Sequence, residues 1–195
     1  MQKFLILFLT FFISCTESDK VIMIQPFENF DDKLANELVV GLKHIKKDVV
    51  LLPQKSFSKN TFYPPRNRFR ADSILKVYGN TFKTDTIFVG LTHKDISTTL
   101  NKNKDWGVMG LAKCPGNVCV TSTFRVDKKK IKNQFFKVVI HEIGHTEGLP
   151  HCKNKNCIMM DANGKNILDS KTEFCTSCKK HLEKRGWKLQ GNYLL

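Results

Sequence analysis

The run from His141 to His151, His-Glu-Ile-Gly-His-Thr-Glu-Gly-Leu-Pro-His, constrains this chain more than any other feature. Histidines four positions apart on a helix leave it from one face, so His141 and His145 can offer two imidazoles to one ion. A third ligand must come from beyond the helix. Gly148 can adopt positive φ and end the helix sharply, and Pro150 prevents its continuation, so the chain can turn back and deliver His151. Zinc accepts such nitrogens at about 2.0–2.1 Å, and three of them leave its fourth tetrahedral position open for water, as a catalytic site requires. Glu142 leaves the helix on another bearing and is not a ligand. As general base it can take a proton from that water, whose pKa zinc lowers from 15.7 toward roughly 7. Attack on an amide then follows, with Glu142 handing the proton to the leaving amine. The five fixed residues coincide by chance with a probability on the order of 10⁻⁵ at this length and composition. The alternatives are a helix with merely polar histidines, or a non-catalytic zinc site using the same ligands.

With 41% apolar and 26% charged residues, the 195-residue chain has the composition of a globular protein and room for one domain. Val21 to Ile24 is β-rich, and Leu34, Leu38, Val39, Leu42 and Ile45 have helical spacing behind Asp31 and Asp32. Asp48 to Leu52 predicts a second strand, 56–67 a surface loop, Arg70 to Tyr78 a short helix ended by Gly79-Asn80, and Thr86 to Leu91 a third strand. Trp106 to Ala112 and Val118 to Val126 predict a fourth and fifth strand, joined through Cys114-Pro-Gly-Asn-Val-Cys119. Lys132 to Glu147 is the motif-bearing helix. This alternation predicts an α/β (α+β) domain and not a helical bundle. The strand Val118–Val126, just ahead of that helix, is the expected partner for an extended substrate by β-addition.

The N-terminus has a different character. Lys3 precedes an apolar run from Phe4 to Ile13, too short to span a bilayer but matched to a secretory leader, and Ser14-Cys15 follows at once. The pattern resembles a bacterial lipoprotein signal, although Phe12 stands where such signals usually carry Leu. That resemblance implies a signal peptide over 1–14, lipidation of Cys15, a tether over 15–20 and a domain over 21–195. It also implies an exported, membrane-anchored protein of the bacterial cell envelope. A plain signal peptide or an uncleaved anchor are the alternatives.

Seven cysteines is an odd count, and Cys15 accounts for the surplus. Cys152, Cys157, Cys175 and Cys178 form two close pairs, C-x4-C and C-x2-C, a spacing that suits a closed four-thiolate zinc site with Zn–S near 2.3 Å. Two disulfides are the competing arrangement if the chain is exported. Cys114 and Cys119 flank a turn, either as a disulfide or as two buried free thiols. The whole run His141–His151, Cys152-x4-Cys157-x-Met159 and Cys175-x2-Cys178 resembles the archaemetzincin family, and Gly110-Leu111-Ala112 and Ser122 to Arg125 are similar to its sheet-edge region. The resemblance implies a zincin-like metzincin domain: a mixed twisted sheet, an active-site helix, a C-terminal helix and a Met-turn at Met159. It implies peptide hydrolysis, aminopeptidase-like action included, and two zinc ions, one catalytic and one structural.

Thirty-two basic residues against eighteen acidic ones leave a net charge of +14. A basic zinc module binding nucleic acid or a membrane surface is therefore the alternative function, with Lys128–Lys130, Lys132, Lys179 and Lys180 as phosphate contacts. No aromatic-interleaved recognition motif accompanies them. The expected partners are accordingly a peptide or protein substrate and a membrane reached through the lipid, with no nucleic acid and a monomeric state.

Overall fold

The computed structural model describes residues 20–82, 85–191 and 193–194; the predicted leader 1–14 and Cys15 lie outside them. Val21–Pro26 (β1), Val49–Leu51 (β2), Thr86–Thr92 (β5), Val118–Ser122 (β9) and Gly110–Ala112 (β8) form a five-stranded sheet in the order β2-β1-β5-β9-β8. Its first four strands are mutually parallel, and β8 closes the edge antiparallel to β9, with Leu111 opposite Val120. Period-two alternation divides the sheet between two cores. Ile22, Ile24, Ile87, Val89, Leu91 and Cys119 belong to one core, and Phe88, Val118 and Val120 to the other.

The larger core is covered by Asp32–Ile45 (α1) and Ile131–Thr146 (α3). Asp31 caps α1 by accepting the Leu34 amide at 2.7 Å, and Leu34, Leu38, Leu42 and Ile45 form its buried stripe. Phe135, Phe136, Val139, Ile140 and Ile143 fix the buried side of α3. The smaller core packs Ala71–Tyr78 (α2) through Ala71 and Ile74 beneath Phe27 and Phe57, whose rings stack with centroids 4.2 Å apart. Thr176–Glu183 (α4) follows the motif region and buries Cys178 and Leu182.

Beside α2 lies a second sheet that the residue pattern does not predict. Phe62–Tyr63 (β3), Arg68–Arg70 (β4), Ile96–Leu100 (β6) and Asn103–Val108 (β7) run in the order β3-β4-β6-β7. The segment 56–67 is therefore not simply a loop. Nor is Trp106–Ala112 one strand: β7 ends at Val108 in one sheet and β8 begins at Gly110 in the other. The strand expected over Val118–Val126 stops at Ser122, whose Oγ accepts the Phe124 amide at 3.0 Å and whose own hydroxyl donates to Lys94 O at 2.6 Å. Arg125 then ties the two sheets together, donating to both Asp95 oxygens at 2.8 and 3.1 Å, while Arg68 holds the same carboxylate at 2.9 Å.

Candidate active site

His141 and His145 lie on the second half of α3, and Gly148, at φ +92°, turns the chain immediately beyond it. That turn brings His151 back, so the three rings face one another with centroids 4.7, 4.8 and 5.5 Å apart. One nitrogen of each ring lies within 4.8 Å of the other two. The orientation of two rings is set by the backbone they fold against: Nδ1 of His141 is 2.7 Å from Ile158 O, and Nδ1 of His145 is 2.7 Å from Leu149 O. A carbonyl only accepts, so both Nδ1 atoms carry the proton and both Nε2 atoms present bare lone pairs. Those lone pairs point at each other across 3.1 Å. Without a cation between them they repel; with zinc at about 2.0 Å from each, a separation near 3.3 Å is what a tetrahedral site requires. Desolvation, reinforced by His145, pushes His141 down to about 3, so it is neutral and able to ligate at pH 7. The third ring is the exposed one. Its Nδ1 lies 3.6 Å from a carboxylate oxygen of Asp161, a partner that sequence reasoning missed.

Glu142 is buried next to these rings, and burial raises its carboxyl to about 8. A divalent cation would favour the charged form and reverse that shift. The carboxylate has room because the strand opposite it carries glycine: a Cβ at Gly110 would lie 2.5 Å from Glu142 Cγ and Oε1. Gly144 has the same role on the helix. A Cβ there would lie 2.6 Å from Met159 Sδ, which packs beneath the helix between His141 and His145. Met159 is fully buried, whereas Met160 lines the cleft and receives the Lys171 ammonium at 3.1 Å.

The four thiols of Cys152, Cys157, Cys175 and Cys178 also gather within 4.8 Å. All six described cysteines are free, and the Cys152 and Cys175 sulfurs are 3.7 Å apart, far beyond a disulfide and close to the edge of a tetrahedron around zinc. Burial raises Cys157 and Cys178, and it acts on Cys175 too. There, hydrogen bonds from Ser177, Cys178 and Cys152 outweigh burial and pull the thiol down to about 6. Such a set ionises fully only around a cation. Cys152 and Cys157 bracket the returning segment, and Cys175 is the N-cap residue of α4. Together they grip the stretch that carries His151, the Ile158 carbonyl and Met159. Cys114 and Cys119 do not pair: Cys119 is buried in β9, and exposed Cys114 lies 3.5 Å from Leu149 O.

A cleft of about 700 Å³ runs past the three histidines. One wall is Trp106 to Ala112; the other is the segment 160–168, pinned to α3 by Lys137 Nζ on Leu168 O at 3.0 Å and Gln134 Nε2 on Asp169 at 2.8 Å. The expected substrate-pairing strand is not available, because β9 is bonded to β5 on one side and β8 on the other. It is β8 that forms the sheet edge along the cleft. Local pattern cannot reveal strand order. A hint was present in Gly107 and Gly110, glycines in a stretch otherwise suited to a strand.

Comparison with known proteins agrees with this arrangement. Residues 60–184 match the model of peptidase family M54. The chain is 30% identical over 163 residues to the archaemetzincin of Methanopyrus kandleri, covering 80% of this chain and 86% of that one. The crystal structure of the Archaeoglobus fulgidus archaemetzincin, complexed with malonate, superposes with a TM-score of 0.68 at 29% identity, covering 82% of this chain and 98% of its own. A zinc-dependent peptidase from Methanocorpusculum labreanum shares the fold at a TM-score of 0.65 and 23% identity, over 83% and 99% of the two chains. The histidine and cysteine clusters thus stand on a mixed α/β archaemetzincin fold, and the chain belongs to the archaemetzincins, the peptidases of family M54.

Proposed function

We propose that this archaemetzincin hydrolyses peptide bonds with two zinc ions, one held by His141, His145 and His151 and one by Cys152, Cys157, Cys175 and Cys178. The observation that carries the first site is the pair of bare Nε2 lone pairs at 3.1 Å, each locked in place by a carbonyl on the far side of its ring. When bound, zinc supplies Lewis acidity, activating water and polarising the scissile carbonyl. The chain's own residues do the rest. Glu142, facing the cleft beside the ligands, takes the proton from the attacking water and delivers it to the leaving amine. The free edge of β8 hydrogen-bonds an extended peptide backbone and aligns it with the histidines. Met159 fills the floor beneath the ion without ligating it.

The cysteine ion is structural: its four sulfurs leave no open position. In the cell, residues 1–14 act as a signal peptide, Cys15 carries lipid, and 15–20 tether the domain 21–195 to the envelope membrane as a monomer. The apolar run ending at Ser14-Cys15 supports that reading. The enzymatic proposal is tested by measuring zinc and peptide hydrolysis in the wild type and Glu142→Ala. About two zinc ions in both proteins, with hydrolysis lowered 10²–10⁴-fold only in the variant, is the expected result. Unchanged hydrolysis in Glu142→Ala would remove Glu142 from its role.

A further inference from the structure

The place where the chain enters the domain carries a consequence for its surroundings. Lys20 is the first described residue, and its ammonium lies 3.5 Å from the buried Glu147 carboxylate at the end of α3. The next residues open β1, and Ile22 N donates to Asp48 O at 2.8 Å, so the entry point adjoins Lys47. Lys47 follows the end of α1, and the C-terminal segment is laced to that same end. Lys188 N donates to Ile45 O at 2.8 Å, and Lys46 Nζ to Arg185 O at 2.5 Å. Lys43, Lys47, Lys184 and Lys188 are all exposed here, as is Lys180 one turn before Lys184 on α4. None of these five makes an ion pair among the described residues, whereas Lys130 and Lys132 are paired with Asp169 and Glu37. Among the described residues, Asp48, Asp85 and Glu183 are the exposed acids at this end, fewer than its exposed lysines.

We infer that this end of the molecule, around the entry of the chain, is a membrane-facing surface that binds anionic lipid headgroups. The inference rests on the tether reading above: a lipid on Cys15 would leave only the short run to Lys20 between the bilayer and this basic end. A single anchor sets position but not orientation. Lysines around its root set orientation as well, because each is attracted to an anionic surface within about a Debye length. The cleft stays open in that pose, since β8 and the α1-covered edge strand β2 are at opposite edges of the sheet. Lysines at the ends of α1 and α4 also complement the helix dipoles, a contribution to folding that a melting curve reports separately.

The test uses the chain from Cys15 onward with Cys15→Ser, which is unlipidated. A melting curve of this form establishes that it is folded before binding is measured. Co-sedimentation is measured with phosphatidylglycerol–phosphatidylcholine vesicles and with phosphatidylcholine alone, at two salt concentrations. Salt-sensitive binding to the anionic vesicles only is expected. Lys47→Glu/Lys184→Glu/Lys188→Glu should weaken it about 100-fold, taking roughly a fivefold loss per lysine. Lys55→Glu/Lys59→Glu/Lys102→Glu, with the same net charge but on other surfaces, should lose far less. Melting temperature and peptide hydrolysis of both variants establish that each is folded. Equal losses in the two variants, or equal binding to both vesicles, would overturn the inference. The mass of the Cys15 peptide from membranes tests the tether alone: unmodified Cys15 with intact vesicle preference removes the tether and leaves the lipid-binding face.

Discussion

At the scale of single residues, the site depends on where side chains are missing as much as on where they are present. Gly110 leaves the space that Glu142 occupies, and a methyl group there would sit 2.5 Å from the carboxylate. Gly110→Ala should therefore turn Glu142 aside without touching a ligand: zinc content stays at the wild-type level while kcat/KM falls about 100-fold, the cost of an ångström-scale misplacement. Loss of zinc along with activity would show that the strand, and not the carboxylate, had moved. Glu142 also makes a pH prediction for the metal-free protein. Its carboxyl is raised from 4.5 to about 8 by burial, so the folded state binds this proton more tightly than the unfolded state does. Stability from this group is greatest below pH 4.5 and drains away as pH rises toward 8. Glu142→Gln cannot lose it. The melting advantage of metal-free Glu142→Gln over wild type should widen from pH 5 to pH 8, by about 1.4 kcal/mol per unit at most, and shrink when zinc is restored. A gap independent of pH would mean that the carboxyl is solvated.

At the scale of elements, α3 carries His141, His145 and Glu142, the proposed ligands and general base, but the returning segment 149–160 orients the rings. It contributes the Leu149 and Ile158 carbonyls, His151 and Met159, and the cysteine cluster holds it to α4. Cys175→Ser should thus weaken the histidine site as well as its own: partners of this kind typically change metal affinity 10–100-fold. Competition with a chelator would measure it, and an unaltered histidine-site affinity would uncouple the two. These parts were legible in the residues because they are near one another in the chain. His141 to His151 is contiguous, the cysteines come in tight pairs, and the stripe of α1 is regular. The second sheet was not legible for the opposite reason. Arg68 and Arg70 in β4 carry no strand signal, Arg70 reading as the start of a helix, until Asp95, Asp105 and Ser97, 27 to 37 positions away, appear beside them. Likewise Met109 separates two strands only because β7 and β8 join different sheets, and that β9 is interior follows from strand order alone. Asp161 carries no periodic signal that would mark it as the neighbour of His151.

At the scale of the whole molecule, two cores on opposite faces of one sheet hold the cleft between the β8 edge and the segment 160–168, with the second sheet supplying Trp106 as part of its rim. No helix among the described residues is long and apolar enough to cross a membrane. Five exposed lysines of this +14 chain gather where it enters the domain, while the proposed chemistry is confined to three histidines and one carboxylate. In the proposed enzyme, one fold holds two ions in unlike coordination. Zinc-edge X-ray absorption on the purified protein tests it most directly. Two zinc ions per chain are expected, with a nitrogen and oxygen shell near 2.0 Å and a sulfur shell near 2.3 Å in equal weight. A single zinc per chain with sulfur ligands alone would contradict it.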